Sequence, residues 1–208
     1  MKTVVSGIKT EIRAAMQVVA RILNAASGGV ITPNGITIFG MLMHVPIAAL
    51  IATNHLVWAA VLLVVFGLFD VLDGELARLQ NRASVRGMLL DASTDRIKEA
   101  MLYTGVAYVL AVGPHPATAS LAAAAVGASI SVSYVKAKGE AAVASSGKKI
   151  HHDTLNHMFA DGVMSFEVRI VVLLAGLLTG LLAWATAVVA VGAAFTVLQR
   201  LVRISRKI

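Results

Sequence analysis

A chain of 208 residues that is 58% hydrophobic and only 14% charged cannot cover itself with polar surface. Water-soluble domains carry nearer a quarter of charged residues, so this composition, with a mean hydropathy of +0.81, excludes an ordinary soluble domain and points to lipid as the solvent. The net charge of +7 suits anionic headgroups in so apolar a chain, with no nucleic acid expected as a partner, and the absence of cysteine excludes disulfides and thiolate metal sites.

The N-terminal segment does not read as a signal peptide. Lys2, Lys9, Glu11, Arg13 and Arg21 interrupt any apolar h-region. Val5, Ile8, Ile12, Ala15, Val19 and Ile22 recur at helical spacing, with basic residues opposite. That pattern predicts an amphipathic helix over residues 1–30 lying in an anionic interface; a soluble helix packed on a partner is the alternative.

A spanning helix needs about 20 apolar residues. Six segments qualify. The first runs from about Gly35 to Thr53, the second from Leu56 into the stretch around Asp70, and the third from near Met88 to Val112. Gly113-Pro114-His115-Pro116 separates the third from the fourth, which runs from about Ala117 to Tyr134. Ile170 to Leu198 would make one helix of about 43 Å, too long for one upright span, and is divided at Thr179-Gly180. Lys and Arg are confined to the N-terminal region, 78–98, 136–169 and the tail, while the connections at 53–55, 113–116 and 179–180 have none. The positive-inside rule then puts both termini and the longer loops in the cytoplasm. The expected fold is an all-α integral membrane protein of the plasma membrane: an interfacial helix (1–30) and a six-helix core (31–208) forming one domain, 1–208. Gly139–Asp161 is expected as the one sizeable loop, with Ser145-Ser146-Gly147 its flexible part. His151, His152 and His157 in it form a weak metal-ligand cluster.

Four aspartates gather at the end of the second span and the start of the third. Asp70 and Asp73 share one helix face, and Asp91 and Asp95 share another. Four neighbouring carboxylates need compensation, and a hard divalent cation, Mg²⁺ or Mn²⁺, prefers such oxygens. Two such ions would clamp a phosphate-bearing substrate. Gly74 and Ala77 leave room beside the acids, Arg78 offers a fork for phosphate, and Gly87 is expected to let the second and third helices approach. Two other readings stay open. The acids could solvate helix ends and pair with Arg78, Arg82, Arg86 and Arg96. They could bind the coupling cation of a transporter, although transporter sites usually lie near the midplane and these lie at the rim.

Asp70-x-x-Asp73-Gly74-x-x-Ala77-Arg78, followed after eight residues by Gly87-x-x-x-Asp91-x-x-x-Asp95, resembles the signature of the CDP-alcohol phosphotransferase family. The resemblance covers nearly the whole chain. It implies transfer of a lipid phosphoryl group from a CDP-linked lipid to an alcohol, with release of CMP, at the cytoplasmic side. It implies two divalent ions on Asp70, Asp73, Asp91 and Asp95, with Asp95 as general base. It assigns Asp70, Gly74, Ala77 and Arg78 to the CDP-lipid, joined by Pro33, Asn34, Gly35, Ile36 and Thr37, which resemble a second nucleotide segment, and by Ser84. Relatives are homodimers, so a homodimer is expected.

For the acceptor, Ser133-Tyr134-x-Lys136-Ala137-Lys138 and Gln199-Arg200 resemble phosphatidylinositol-phosphate synthases and their archaeal relatives. Ser133, Lys136, Lys138 and Arg200 are therefore the candidate acceptor residues, and inositol phosphate the expected acceptor. Those relatives carry a further Arg where this chain has Phe166, which keeps glycerol 3-phosphate as the alternative; serine or another small alcohol fits the basic residues less well.

Overall fold

The computed structural model describes residues 2–145 and 162–205, all regular elements of which are helical. The histidine-bearing segment and its predicted metal cluster lie outside the described residues.

Helix α1 (Lys2–Ala26) forms where the amphipathic pattern predicts it. The stripe packed on protein is a second one, beside the stripe expected to face the interface. Ala20 is buried against Ile36, Leu72 and Leu76, flanked by Met16 and Leu23. The predicted stripe leaves Val19 and Ile22 exposed, 40% and 64%. The helix thus carries two apolar faces, one docked on protein and one facing outward.

Thr32 caps the next helix, accepting a hydrogen bond from the backbone N–H of Gly35 at 3.1 Å, and Pro33 fills the first turn, where its missing N–H costs nothing. Helices α2 (Pro33–Leu42) and α3 (His44–Ala52) together make one apolar segment of spanning length, Pro33–Ala52. Asn54 closes it in a left-handed conformation, φ 61°. Helices α4 (Leu56–Gly67) and α5 (Phe69–Leu79) make a second, Leu56–Leu79. Helix α6 (Val85–Ala111) is continuous over 27 residues. A short 3₁₀ turn (Pro116–Ala119) leads into α7 (Ser120–Ser145), and Pro116–Val143 is the third spanning segment. Helices α8 (Phe166–Thr179) and α9 (Leu182–Ser205) follow, α9 being the fourth.

One expectation changes. Gly139–Ser145 is helix, not loop, because the alanine-rich run after Gly139 supports α7 for two more turns. Among the described residues four segments are long and apolar enough to span by length and composition alone. Helix α6 is crowded with charge in its first half, and α8 has 14 residues. The predicted division at Thr179-Gly180 is present: Gly180, at φ 73°, caps α8 in a conformation that favours glycine.

The chain forms two compact units, Met1–Ala49 with Trp58–Leu102, and Leu50–Val57 with Tyr103–Ile208. In the first, α1 and α2 both pack on α5. Phe39, Phe66 and Phe69 stack at 5.1–6.1 Å between ring centres. In the second, α9 packs along both α7 and α8.

Candidate active site

Helix α5 begins where the apolar run of α4 ends, so its polar face starts at Asp70. Ser84 opens α6: its hydroxyl accepts from the N–H of Gly87 at 3.1 Å, a helix cap that the sequence reading did not anticipate. With both helices so started, Asp70 on α5 and Asp91 and Asp95 on α6 each offer one carboxylate oxygen, all within 4.8 Å of one another.

Asp73 faces a neighbouring space. It is buried and accepts a hydrogen bond from the hydroxyl of Thr37 at 2.5 Å. Asp73 and Asp91 line a cleft of about 260 Å³ together with Pro33, Asn34, Thr37, Gly74, Ala77, Arg78, Arg82, Ser84 and Gly87. Most of the predicted CDP-lipid residues thus meet in one place. Three do not: Asp70 stands in the carboxylate cluster outside the cleft lining, and Gly35 and Ile36 line an apolar groove of about 520 Å³ with Met16, Val19, Phe39 and Phe69. A methyl group at Gly87 would meet only Ser84 and Asn34, at 3.4 and 3.6 Å, so this glycine widens the cleft and does not press α6 onto α5.

The carboxylates suit a hard divalent cation. Their oxygens converge, and Oδ1 of Asp91 is buried without a hydrogen-bond partner among the described residues. Such an atom is costly unless something coordinates it.

Several charged residues here escaped the sequence reading. Lys98, 2% exposed, donates to Asp70 and, at 3.5 Å, to Asp95. Glu75, 4% exposed, accepts from both Nε and Nη2 of Arg78 and meets Arg13 of α1 at 3.1 Å. Glu99 is the third: it pairs at 2.6 Å with Arg96, the residue already named as a possible partner of the aspartates, which lies 3.9 Å from Asp95. The i,i+3 spacings of Glu75 to Arg78 and Asp95 to Lys98 were visible; the burial that gives them weight was not.

The candidate acceptor residues lie in the second unit. Arg200 is buried and donates to the carbonyl of Val132 at 2.9 Å, next to Ser133. Its Nε is buried with no hydrogen-bond partner among the described residues. Lys136 pairs with Glu140 at 3.8 Å, and Lys138 sits 5.7 Å over the Tyr134 ring. Arg169, almost fully buried, donates to the carbonyl of Met164 at 3.0 Å and stands 5.8 Å from the ring of Phe166. It has no counterpart among the predicted acceptor residues.

Comparison with known proteins gives one answer. The family profile of CDP-alcohol phosphatidyltransferases matches residues 30–199. The phosphatidylinositol phosphate synthase of Corynebacterium glutamicum is 36% identical, over 83% of this chain and 77% of its own. The archaetidylinositol phosphate synthase of Methanothermobacter thermautotrophicus is 31% identical, over 83% of each chain. The crystal structure of Mycobacterium tuberculosis phosphatidylinositol phosphate synthase with CDP-DAG bound is 26% identical and superposes with a TM-score of 0.76 over 91% of this chain and 92% of its own. The same enzyme with manganese and citrate is 25% identical and gives 0.77 over 91% and 88%. With the aspartate signature complete and three of its four acids converged from α5 and α6, the chain belongs to the CDP-alcohol phosphatidyltransferase family.

Proposed function

We propose that this transferase moves a phosphatidyl or archaetidyl group from a CDP-linked lipid to the hydroxyl of inositol phosphate and releases CMP. The observation that carries the proposal is the convergence of Asp70, Asp91 and Asp95 beside a cleft lined by Asp73, Gly74, Ala77 and Arg78. The acceptor is taken from the relatives named above, supported by the buried Nε of Arg200, which has no hydrogen-bond partner among the described residues and is a donor suited to a phosphate oxygen.

Asp70, Asp73, Asp91 and Asp95 would hold two divalent ions, Mg²⁺ or Mn²⁺, which supply positive charge against the pyrophosphate. In the cleft, Gly74 and Ala77 leave the pyrophosphate room against the backbone, and Arg78 donates to its oxygens. Pro33, Asn34 and Thr37 of α2 and Ser84 at the start of α6 complete the lining, Thr37 also holding Asp73 in place. The apolar groove behind Gly35 and Ile36 suits a hydrocarbon tail. Asp95 takes the proton of the acceptor hydroxyl. The oxygen left behind bonds to the lipid-bearing phosphorus, and the bond from that phosphorus to the CMP oxygen breaks. Arg200 and Lys136, with Ser133 and Lys138, hold the acceptor phosphate.

We further read residues 1–208 as one functional domain in the plasma membrane, six spans with an interfacial helix, both termini and the site cytoplasmic, acting as a homodimer. The rim position lets lipid tails stay in the bilayer while CMP and acceptor exchange with water.

The test is CMP release by the purified chain in nanodiscs with a CDP-linked lipid and Mn²⁺ or Mg²⁺, against inositol phosphate, glycerol 3-phosphate, serine and free inositol. Inositol phosphate should support the fastest release. Asp95→Asn should lower turnover by about 10²–10⁴-fold while CDP-lipid binding persists. Fastest release with glycerol 3-phosphate would replace the acceptor, and full activity of Asp95→Asn would remove Asp95 as base.

A further inference from the structure

A lysine normally keeps its ammonium in water even when its stem is covered. Lys98 does not: its side chain is 2% exposed. Its Nζ donates to Oδ1 of Asp70 and lies 3.5 Å from Oδ1 of Asp95. Those are two of the three carboxylates whose oxygens converge within 4.8 Å, and the third, Asp91, has a buried oxygen without a partner among the described residues. One fixed positive charge therefore already sits on part of the cluster.

We propose that Lys98 is a resident counter-cation of the carboxylate cluster, a positioning residue that holds Asp70 and Asp95 together before a divalent ion is bound and gives up those contacts when one arrives. The proposal rests on the reading that the cluster takes a divalent ion. A carboxylate oxygen shared with a divalent ion brings that ion close to the ammonium, and like charges repel strongly where water is scarce. Lys98 must then release Asp70, Asp95 or both. Its presence stabilises the ion-free protein and opposes ion binding. The sign of this effect separates the proposal from a purely structural lysine. Loss of a structural lysine would loosen the carboxylates and weaken ion binding, whereas loss of a competing cation strengthens it.

The probe is Mn²⁺ alone, without substrate, titrated calorimetrically into the full chain in nanodiscs as the native protein, Lys98→Met, Lys98→Gln and Lys98→Arg. Each protein is also prepared loaded with Mn²⁺ and dialysed against graded chelator, so affinity is read from the loaded side even where the stripped fold is lost. Lys98→Met and Lys98→Gln should bind Mn²⁺ about tenfold more tightly than the native chain. Both should unfold at lower temperature in chelator and recover with Mn²⁺. Lys98→Arg, which retains the charge, should stay within about threefold of native affinity. Equal or weaker binding in both neutral variants, with uptake by the native chain intact, would overturn the proposal alone. No uptake by the native chain would overturn the metal reading and this proposal with it.

Discussion

Glu75 does two things with one carboxylate. It is buried at the end of a spanning segment, faces Arg78 in the cleft and meets Arg13 on α1. The Arg13 side chain is 63% exposed, so that pair adds little stability. The grip on Arg78 is the stronger effect, because a bidentate contact through Nε and Nη2 fixes the orientation of a guanidinium whose side chain is 54% exposed. Glu75→Ala should raise KM for the CDP-lipid about tenfold, equivalent to losing about 1.4 kcal/mol of positioning, and change kcat much less. Steady-state kinetics in CDP-lipid at saturating acceptor checks this, and an unchanged KM would separate Arg78 from Glu75. The aspartates were legible in the sequence because their spacing is local to two helices. Glu75 and Lys98 were not. Lys98 reaches Asp70, 28 positions away, and that contact depends on how α5 and α6 come together.

Among the elements, α8 and α9 approach closely where Gly176 meets Ala185. A methyl group added at Gly176 would lie 2.5 Å from the Ala185 Cβ, with the backbone of Leu181 and Leu182 close behind. Nothing at that crossing is a flexible tip able to swing aside. Gly176→Ala should therefore destabilise the protein by about 1–3 kcal/mol, the usual cost of overpacking, seen as a lower unfolding temperature in detergent. Gly192 is the contrast: its added methyl would meet the end of the Met164 side chain, which can turn away. The division between these helices was readable because Thr179-Gly180 interrupts an otherwise apolar run. The extension of α7 to Ser145 was missed because Gly139 and the surrounding charges look like a loop start, while the alanines beyond it favour helix. On α1 the second apolar stripe, around Ala20, was not read from the sequence, because only the position of Leu72 and Leu76 on α5 shows that it is covered.

At the level of the whole molecule, the segregation of Lys and Arg fixes an expected orientation. Every short connection without a basic residue should face away from the cytoplasm. The lack of cysteine makes this simple to measure, because an introduced thiol is the only one in the chain. In intact cells, a membrane-impermeant maleimide should label Asn54→Cys and His115→Cys and leave Arg82→Cys unlabelled until the membrane is opened. Labelling of Arg82→Cys alone from outside would invert the orientation. All-helical architecture and membrane residence follow from composition; the number of spans does not, because α6 mixes acids and bases into the half that carries the chemistry.

The two compact units also bear on descent. The converged carboxylates, the cleft and Lys98 belong to the first unit, and Ser133, Lys136 and Arg200 to the second. On the proposed roles, substitutions that abolish transfer should fall in the first unit and substitutions that exchange the headgroup alcohol in the second. A lineage could then drift toward a new phospholipid through its second unit while the first is kept.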